Sequence, residues 1–307
     1  MTASSFNLIP TQDGSLTLYD AATRQHYHNR AGAYTEALKN YVEPSGVLDW
    51  GLRQETLVVL DACYGLGYNS WTLLNELLRE KKQAPGARLR HIALYLVESN
   101  PNLFSLTKAL LDQDCYNCIG NKPEIAATLE AVSKNNNRVP LTFNFALSSQ
   151  CQVSFYCYTQ DIREVVQQLN GSQRERFDLV FHDPFSPNRA PHLWSVELFK
   201  HYHDSLKKEG PLLTYSLASA VRAGLLEAGF HLMKSQGVGD KTGGTVAFKT
   251  QPPMQEMIAA RGLSRPFTRE EAIQISGRSG VPYRDATLSD APETVLKRRE
   301  AEQAKLS

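Results

Sequence analysis

The sequence predicts an α/β protein with a doubly wound, mostly parallel sheet and helices on both faces. Short apolar runs bounded by turn residues alternate along the chain with longer segments whose apolar residues recur at helical spacing. The runs themselves are largely apolar, which is typical of strands buried on both sides of a parallel sheet. This strand-helix-strand order favours parallel pairing through right-handed crossovers.

The predicted elements follow one another in a regular order. The first strand is "TLVVLDA" (56–62) and the helix after it is "YNSWTLLNELLREKK" (68–82). Pro101 suits the first turn of the second helix, and Gly210 and Gly229 suit the ends of the last two. Further strands are predicted at 91–98, 152–158, 177–183, 211–216 and 245–250, and further helices at 101–113, 124–135, 162–170, 193–210 and 219–230.

Two extensions flank the predicted core. Residues 1–50 form an N-terminal extension in which 15–42 makes a hairpin leading into a helix, and residues 51–250 form the core. Residues 251–307 are rich in Pro, Arg and Glu, so we expect a polar C-terminal tail ending in a solvated helix or a frayed end.

The composition is that of an ordinary globular protein. A net charge of +1, from 33 Lys+Arg and 32 Asp+Glu, argues neither for nor against nucleic acid as a partner. No signal-like segment opens the chain and no apolar run approaches the ~20 residues of a membrane span, so no membrane partner is expected. Five irregularly spaced cysteines predict a reducing, cytoplasmic location, and the Cys115/Cys118 pair is interpreted as incidental.

Acidic residues stand at the ends of three predicted strands. The first strand runs into "LDACYGLGYN", with Asp61, Gly65 and Gly67 in a turn before a helix, and the next two end at Glu98 and Asp161. Ligands of open α/β sheets bind beyond such strand ends, where carboxylates can accept from ribose hydroxyls and an adenine amino group. Two alternatives remain open: a tight turn without a ligand, and Asp161 as a helix N-cap.

This pattern resembles class I S-adenosylmethionine-dependent methyltransferases, with a Rossmann-like fold. More narrowly, "DACYGLGYNSWTLL", "VFHDPFSPNRAPHLW" and "SLASAVRAGLLEAGF" resemble the methyltransferase domain of the tRNA wobble-uridine modification protein MnmC, over approximately residues 10–250 and again at "PYRD" (282–285). The resemblance implies S-adenosyl-L-methionine as cofactor. It also implies conversion of 5-aminomethyluridine, or its 2-thio form, to 5-methylaminomethyluridine at the wobble position 34 of tRNA.

The resemblance extends to several single residues. It implies that Asn69 belongs to the cofactor-binding set and that Tyr27, His28 and Arg30 help to close the cofactor pocket. Cys63 departs from the family, which usually has glycine there, and its side chain is expected to crowd the methionine end of the cofactor. A flavin-dependent oxidase domain follows in the fused family members, but residues after 250 are too few for one, so no fused oxidoreductase domain is expected.

The stretch "FDLVFHDPFSPNRAPHLW" (177–194) carries the predicted methyl-accepting side. The acceptor amine must be neutral, whereas an alkylamine with a pKa near ~10.4 is mostly ammonium at neutral pH. Asp183 is predicted to orient this amine and accept its proton, and His182 to relay the proton or to pack against the cofactor. Pro184 rigidifies the turn and Phe185 offers a wall for the uracil. The alternative is a plain turn, because Asp-Pro and Ser-Pro are common loop dipeptides.

Cationic residues are candidate phosphate contacts for a tRNA partner. Each can equally be a solvated surface charge, but together they predict a steep salt dependence. They are Arg189, His192, Arg222, Lys234, Lys241 and Lys297-Arg298-Arg299. No metal site is predicted, because His26 and His28 have ligand spacing without a third ligand. The segment "GVGDKTGG" (237–244) fails the phosphate-loop pattern.

Two other functions remain open at this point. The acceptor can be a free small amine in place of tRNA. The chain can also be a nucleotide-binding module without catalysis. This alternative is considered because Cys63 replaces the glycine that is usual in the family. The sequence predicts no oligomeric state.

Overall fold

A nine-stranded sheet organises the molecule. The computed structural model describes residues 7–20, 25–28, 32–135, 139–170, 175–235, 243–250 and 264–306. The strands are β1 (Leu8–Pro10), β2 (Leu16–Asp20), β3 (Gln25–His26), β4 (Thr56–Ala62), β5 (His91–Val97), β6 (Leu141–Ser148), β7 (Cys151–Tyr158), β8 (Leu179–His182), β9 (Pro211–Thr214), β10 (His231–Ser235), β11 (Thr245–Phe248) and β12 (Ser264–Arg265).

The helices lie mostly between the strands of this sheet. They are α1 (Ala33–Ala37), α2 (Val47–Trp50), α3 (Tyr68–Gln83), α4 (Thr107–Leu111), α5 (Lys122–Ser133), α6 (Ile162–Asn170), α7 (Val196–Ser205), α8 (Ser219–Glu227), α9 (Arg269–Ser276) and α10 (Pro292–Ala304). Among the described residues, no helix has the length and apolar character needed to cross a membrane.

The strand order places a crevice at the middle of the sheet. The order is β12-β10-β11-β9-β8-β4-β5-β7-β6. The five strands from β9 to β7 pair in parallel, and the strands outside them pair antiparallel. From β4 the chain proceeds to β5 and β7 on one side, then returns to β8 and β9 on the other. The predicted doubly wound, mostly parallel sheet is therefore confirmed, with its switch point between β4 and β8.

Strand β4 shows why the centre of the sheet is stable. Its side chains alternate between two hydrophobic clusters, because successive residues of a strand point to opposite faces. Leu57 and Val59 enter the cluster that contains α3, while Leu60 and Ala62 enter the cluster that contains α6 and α7. All four are fully buried, so β4 contributes to both layers at once.

The N-terminal extension is a small sheet followed by a helix, as predicted. Strands β1, β2 and β3 pair antiparallel and lead towards α1. The Leu16 amide donates to the Tyr68 hydroxyl at 2.8 Å, and the Ala33 amide donates to the Ser15 hydroxyl at 2.8 Å. The first bond attaches the extension to the first turn of α3, next to the crevice, and the second joins the small sheet to α1 within the extension.

The C-terminal segment packs on the core and is not a free tail, although the predicted terminal helix is present as α10, with Val295 as its one buried residue. Strand β12 pairs with β10, Tyr283 pairs with Ser195, and Tyr283 and Val295 are buried. The Arg299 guanidinium lies 4.9 Å from the centre of the Tyr283 ring. The polar composition of this segment gave no indication that it packs on the core, because only a few apolar residues make the contact.

Three local predictions need correction. Strands β6 and β10 were not predicted, although the side chains of β6 alternate regularly between exposed and buried or half-buried positions. Helix α7 ends at Ser205, before Gly210, because Leu206 is extended and the Lys207 amide donates to the Phe177 carbonyl. The region 101–113 begins as a 3₁₀ segment, Pro101–Leu106, before α4.

Candidate active site

A cavity of about 470 Å³ opens beyond the carboxyl ends of β4, β5, β7 and β8. Gly65, Glu98, Asp161 and Asp183, one from each strand end, line this same cavity. Its size is in the range of about 300–1,000 Å³ that is typical of small-molecule sites. The geometry therefore brings together four predicted site residues that are distant in the sequence.

The turn after β4 has an unusual backbone. Cys63, Gly65 and Gly67 have positive φ angles of 72°, 57° and 86°. At Gly67 an added Cβ would lie 2.3 Å from the Tyr64 ring, so glycine is required there for packing. Gly67 does not line the cavity, whereas Cys63 and Gly65 do. Cys63 carries a side chain in a conformation that favours glycine.

Glu98 is buried and held by the backbone. Its Oε2 accepts from the Gly65 amide at 2.9 Å, and its Oε1 accepts from the Asn100 amide at 2.8 Å. Burial raises the pKa of Glu98, while these bonds act in the opposite direction. Since a carboxylate has about four acceptor positions, Glu98 retains capacity for a ligand's hydroxyls.

Asp161 caps α6 and pairs with an arginine. Its Oδ1 accepts from the Arg163 amide at 2.9 Å, and its Oδ2 accepts from Arg163 Nη2 at 2.8 Å. Asp161 can therefore be both a helix N-cap and a cofactor-binding residue, because it caps α6 and also lines the cavity.

Asp61 lies beneath the turn and not on the cavity wall. It is fully buried, and its Oδ2 accepts from the Ser70 hydroxyl at 2.5 Å. Burial raises the pKa of Asp61 to about 8. The predicted direct contact of Asp61 with a cofactor is not supported by this position. The side chain supports the first turn of α3 instead.

Asp183 is partly buried and oriented from two sides. Its Oδ2 accepts from Asn69 Nδ2 at 2.9 Å, and its carboxylate also accepts from the Tyr41 hydroxyl. Burial raises the pKa of Asp183, and the hydrogen bonds from Tyr41 and Asn69 limit that rise. Asn69 was predicted to bind cofactor. It lines the cavity, but its side-chain amide is directed at Asp183.

The prediction that His182 relays a proton or packs against the cofactor is corrected by the structure. His182 and Asp183 are neighbours in the chain at the end of β8, and their side chains point to opposite faces. His182 does not line the cavity and is fully buried, with its ring 4.8 Å from the Trp194 ring and its Nδ1 3.2 Å from the Tyr202 hydroxyl. Burial lowers the pKa of His182 to about 3, so the ring is neutral.

Aromatic side chains form the wall near Asp183. Phe185 meets Tyr27 edge to face at 5.2 Å, and the Tyr215 hydroxyl donates to the Pro184 carbonyl at 3.1 Å. Glu36 completes this side of the cavity. We call Tyr27, Glu36, Asp183, Phe185 and Tyr215 the acceptor half of the cavity.

The opposite side is called the cofactor half, formed by Gly65, Glu98, Gln160 and Asp161. Sequence reasoning missed Gln160 here, and Glu36, Tyr41 and Tyr215 in or beside the acceptor half. Gln160 directly precedes Asp161 after β7, so its position next to a predicted residue was the available signal. No local motif marks Glu36 or Tyr41, because the packing of distant elements brings them to this region.

The charge and hydrogen-bonding capacity of the cavity fit S-adenosyl-L-methionine. Its wall carries four carboxylates and, among the described residues, no lysine or arginine, which suits a cationic sulfonium. Three lining residues have a buried polar atom without a partner in the described part of the chain: His28 Nδ1, Gln160 Oε1 and His192 Nδ1. A ligand with several polar groups can supply such partners.

His28 fits its predicted place at the pocket. Its amide donates to the Thr17 hydroxyl at 3.0 Å, and its ring meets the Tyr68 ring edge to face at 4.8 Å. Burial lowers the pKa of His28 to about 4, so the imidazole is neutral near pH 7. Arg30 lies outside the described residues.

Most candidate phosphate contacts are used inside the protein. His192 lines the cavity, Arg222 is buried over the Phe267 ring, and Lys234 pairs with Glu271 at 3.1 Å. Arg298 pairs with Asp290, and Arg299 donates to the Val281 carbonyl. The prediction that these residues are phosphate contacts is therefore corrected, because their side chains contact other parts of the protein. Arg189 and Lys297 are exposed, and Lys241 lies outside the described residues.

Within the described ranges no group of three metal-ligating side chains is present. The His26 side chain is not among those described.

Comparison with known proteins identifies a matching family and similar proteins. Residues 123–250 match a family model described as S-adenosyl-L-methionine-dependent methyltransferase. The chain is 25% identical over 300 residues to an uncharacterized protein of Methanocaldococcus jannaschii, MJ0670, covering 97% of this chain and 73% of that one. The crystal structure of MnmC2 from Aquifex aeolicus is similar with a TM-score of 0.72 and 25% identity, covering 100% of this chain and 87% of that one.

These matches agree with the geometry. The family model includes β7 and β8, whose ends carry Asp161 and Asp183, and the similarity to MnmC2 extends over the strands that carry Gly65 and Glu98. The protein is therefore an S-adenosyl-L-methionine-dependent methyltransferase whose fold is that of MnmC2.

Proposed function

We propose that this methyltransferase methylates the amine of 5-aminomethyluridine, or its 2-thio form, at the wobble position of tRNA. The observation that carries the proposal is the place of Asp183, on the wall of the cavity that also contains Gly65, Glu98 and Asp161. A carboxylate there would share the cavity with a bound methyl donor. The sequence resemblance to the MnmC methyltransferase domain supplies the identity of the acceptor.

The cofactor half holds the donor in this proposal. Bound S-adenosyl-L-methionine supplies an electrophilic methyl group on a sulfonium centre. Glu98 would accept from the ribose hydroxyls and Asp161 from the adenine amino group, while the acidic wall would favour the positive sulfonium. Orientation of the donor accounts for much of the rate enhancement, because direct displacement requires alignment of the three reacting centres.

The acceptor half prepares the amine. Asp183 accepts a hydrogen bond from the ammonium form, turns its nitrogen towards the donor and then takes its proton. The buried surroundings favour the neutral amine, and the raised pKa of Asp183 makes its carboxylate a better proton acceptor near neutral pH. Phe185, Tyr27 and Tyr215 form an apolar wall on which a uracil ring can pack.

An exposed cation close to the acceptor half supports an RNA substrate. Arg189 lies exposed in the turn that follows Phe185, where a phosphate of the anticodon loop would pass. All five cysteines are free, which agrees with the reducing cytoplasm where tRNA is modified. Phosphate contacts by exposed cations give binding that weakens with salt.

Methyl transfer to defined RNAs tests the proposal. The substrate is an anticodon stem-loop with 5-aminomethyluridine at the wobble position, and the matched control carries plain uridine there. We expect labelled methyl to appear in the first RNA only, as 5-methylaminomethyluridine after digestion, with activity falling as salt increases. Equal transfer to the free nucleoside or to a small amine such as putrescine, without salt dependence, would favour the small-amine function instead.

A further inference from the structure

The C-terminal segment reaches the cofactor half through one buried arginine. Arg163, on the first turn of α6, donates through Nε and Nη2 to Asp161. Its Nη1 donates to Asp285 Oδ2 at 2.7 Å and to the Asp290 carbonyl at 3.0 Å. Four of the five guanidinium N–H groups therefore have partners, two on each side. Residues 122 positions apart are joined by a single side chain.

Asp285 is built into a rigid turn. Its side chain is fully buried, and its Oδ1 accepts from the amides of Ser289 and Asp290, each at 3.1 Å. Its own amide donates to Glu197 Oε2 at 2.8 Å. The carboxylate facing Arg163 thus has a fixed position, set by the turn and by α7.

We propose that Arg163 and Asp285 are positioning residues that orient Asp161 for the adenine edge of the cofactor, so that the C-terminal segment completes the cofactor pocket. Asp161 is 28% exposed at its side chain and lines the cavity, whereas Arg163 and Asp285 are 12% and 0% exposed. The bidentate pair holds the Asp161 carboxylate in one rotamer on the wall of the cavity. An aspartate without this support samples several rotamers and binds a ligand amino group less well.

The inference rests on the assignment of Asp161 to the adenine amino group and not on the identity of the methyl acceptor. Failure of methyl transfer to tRNA would leave it intact. It can be tested by binding alone, without a methyl acceptor.

The test compares two nucleosides in calorimetric binding to the full chain. S-adenosylhomocysteine has the adenine amino group, and S-inosylhomocysteine has a carbonyl oxygen in its place. In Asp285→Asn the amide oxygen must keep accepting from Ser289 and Asp290, so an NH₂ group faces Arg163 and the anchor is lost. Arg163→Lys keeps the charge but cannot pair with both carboxylates. Glu227→Gln is the matched control, because Glu227 pairs with Arg284 at 2.7 Å and docks the same segment.

For Asp285→Asn and Arg163→Lys, we expect the Kd of S-adenosylhomocysteine to rise about ten-fold, as one charge-assisted hydrogen bond loses its geometry. The Kd of S-inosylhomocysteine should change less than about two-fold, and Glu227→Gln should change neither. If both ligands weaken equally, or neither does, the positioning role is wrong. If Asp285→Asn does not fold, as judged by thermal unfolding, Arg163→Lys decides between these outcomes.

Discussion

The two halves of the cavity are constructed in different ways. In the cofactor half, Glu98 is held by the backbone amides of Gly65 and Asn100, while Asp161 is held by both the amide and the guanidinium of Arg163. In the acceptor half, Asp183 is held by the side chains of Asn69 and Tyr41, which come from α3 and the N-terminal extension. Backbone donors are insensitive to most substitutions, whereas side-chain donors are not. The position of Glu98 should therefore tolerate substitution of the residues around it better than the position of Asp183 does.

The largest difference between the halves should follow from loss of Asp183. For Asp183→Ala we expect turnover to fall by about 10²- to 10⁴-fold, because the proton acceptor and the orientation of the amine are both lost. The Kd of S-adenosylhomocysteine, measured by calorimetry, should stay within about three-fold. Asp183→Asn, which keeps the volume, should be similarly inactive. A variant with normal turnover and no cofactor binding would contradict the division of the cavity.

The opposite result is expected for Glu98. Glu98→Gln should raise the Kd of S-adenosylhomocysteine by about 10- to 100-fold, since hydrogen bonds to a charged group contribute about 1.5–3 kcal/mol. At saturating S-adenosyl-L-methionine, turnover should be reduced only a few-fold. Glu130→Gln, at an exposed position of α5, serves as the control and should bind like the wild type. Unchanged affinity in Glu98→Gln would remove Glu98 from the cofactor half.

The connection between the halves can be examined at Asn69. Asn69→Ala removes a hydrogen bond that lowers the pKa of Asp183, so this already raised pKa should rise further. The active form of Asp183 is the carboxylate, and activity is lost as the pH falls through its pKa. The acid limb of the pH profile of kcat should therefore move to higher pH, with a loss of about ten-fold in activity at a fixed pH on that limb. If the acid limb of the kcat profile stays at the same pH in Asn69→Ala, the ionisation of Asp183 does not determine that limb.

The smallest effect is expected at Cys63, on the cofactor side of the turn. A non-glycine residue at a φ of 72° is strained, by about 1–2 kcal/mol. Cys63→Gly relieves this strain, but the greater backbone entropy of glycine offsets about 0.5–1 kcal/mol of the gain. We expect unfolding free energy within about 1 kcal/mol of the wild type and a Kd for S-adenosylhomocysteine about three-fold lower. Weaker binding would show that the thiol contacts the cofactor favourably.

Much of the sheet and of the cofactor half followed from local patterns in the sequence. Apolar runs in the sequence indicate buried strands. Because the carboxyl ends of parallel strands meet at one edge of the sheet, Glu98, Asp161 and Asp183 were expected to lie together. Predictions that depended on which way a single side chain points were less secure. Asp61 and His182 were both placed at strand ends, yet both side chains turn away from the cavity. The division into an N-terminal extension, a core and a C-terminal region stays a prediction.

The order of apolar and acidic segments along the chain already specified an α/β sheet with a nucleotide-binding edge, because period and strand-end chemistry are local properties. The surroundings of Asp183 and Asp161 arose only on folding. The Asn69–Asp183 bond joins residues 114 positions apart, and the Arg163–Asp285 pair joins residues 122 positions apart. Such contacts depend on how helices and the C-terminal segment pack across the sheet, and packing of distant elements leaves no periodic signal in the sequence.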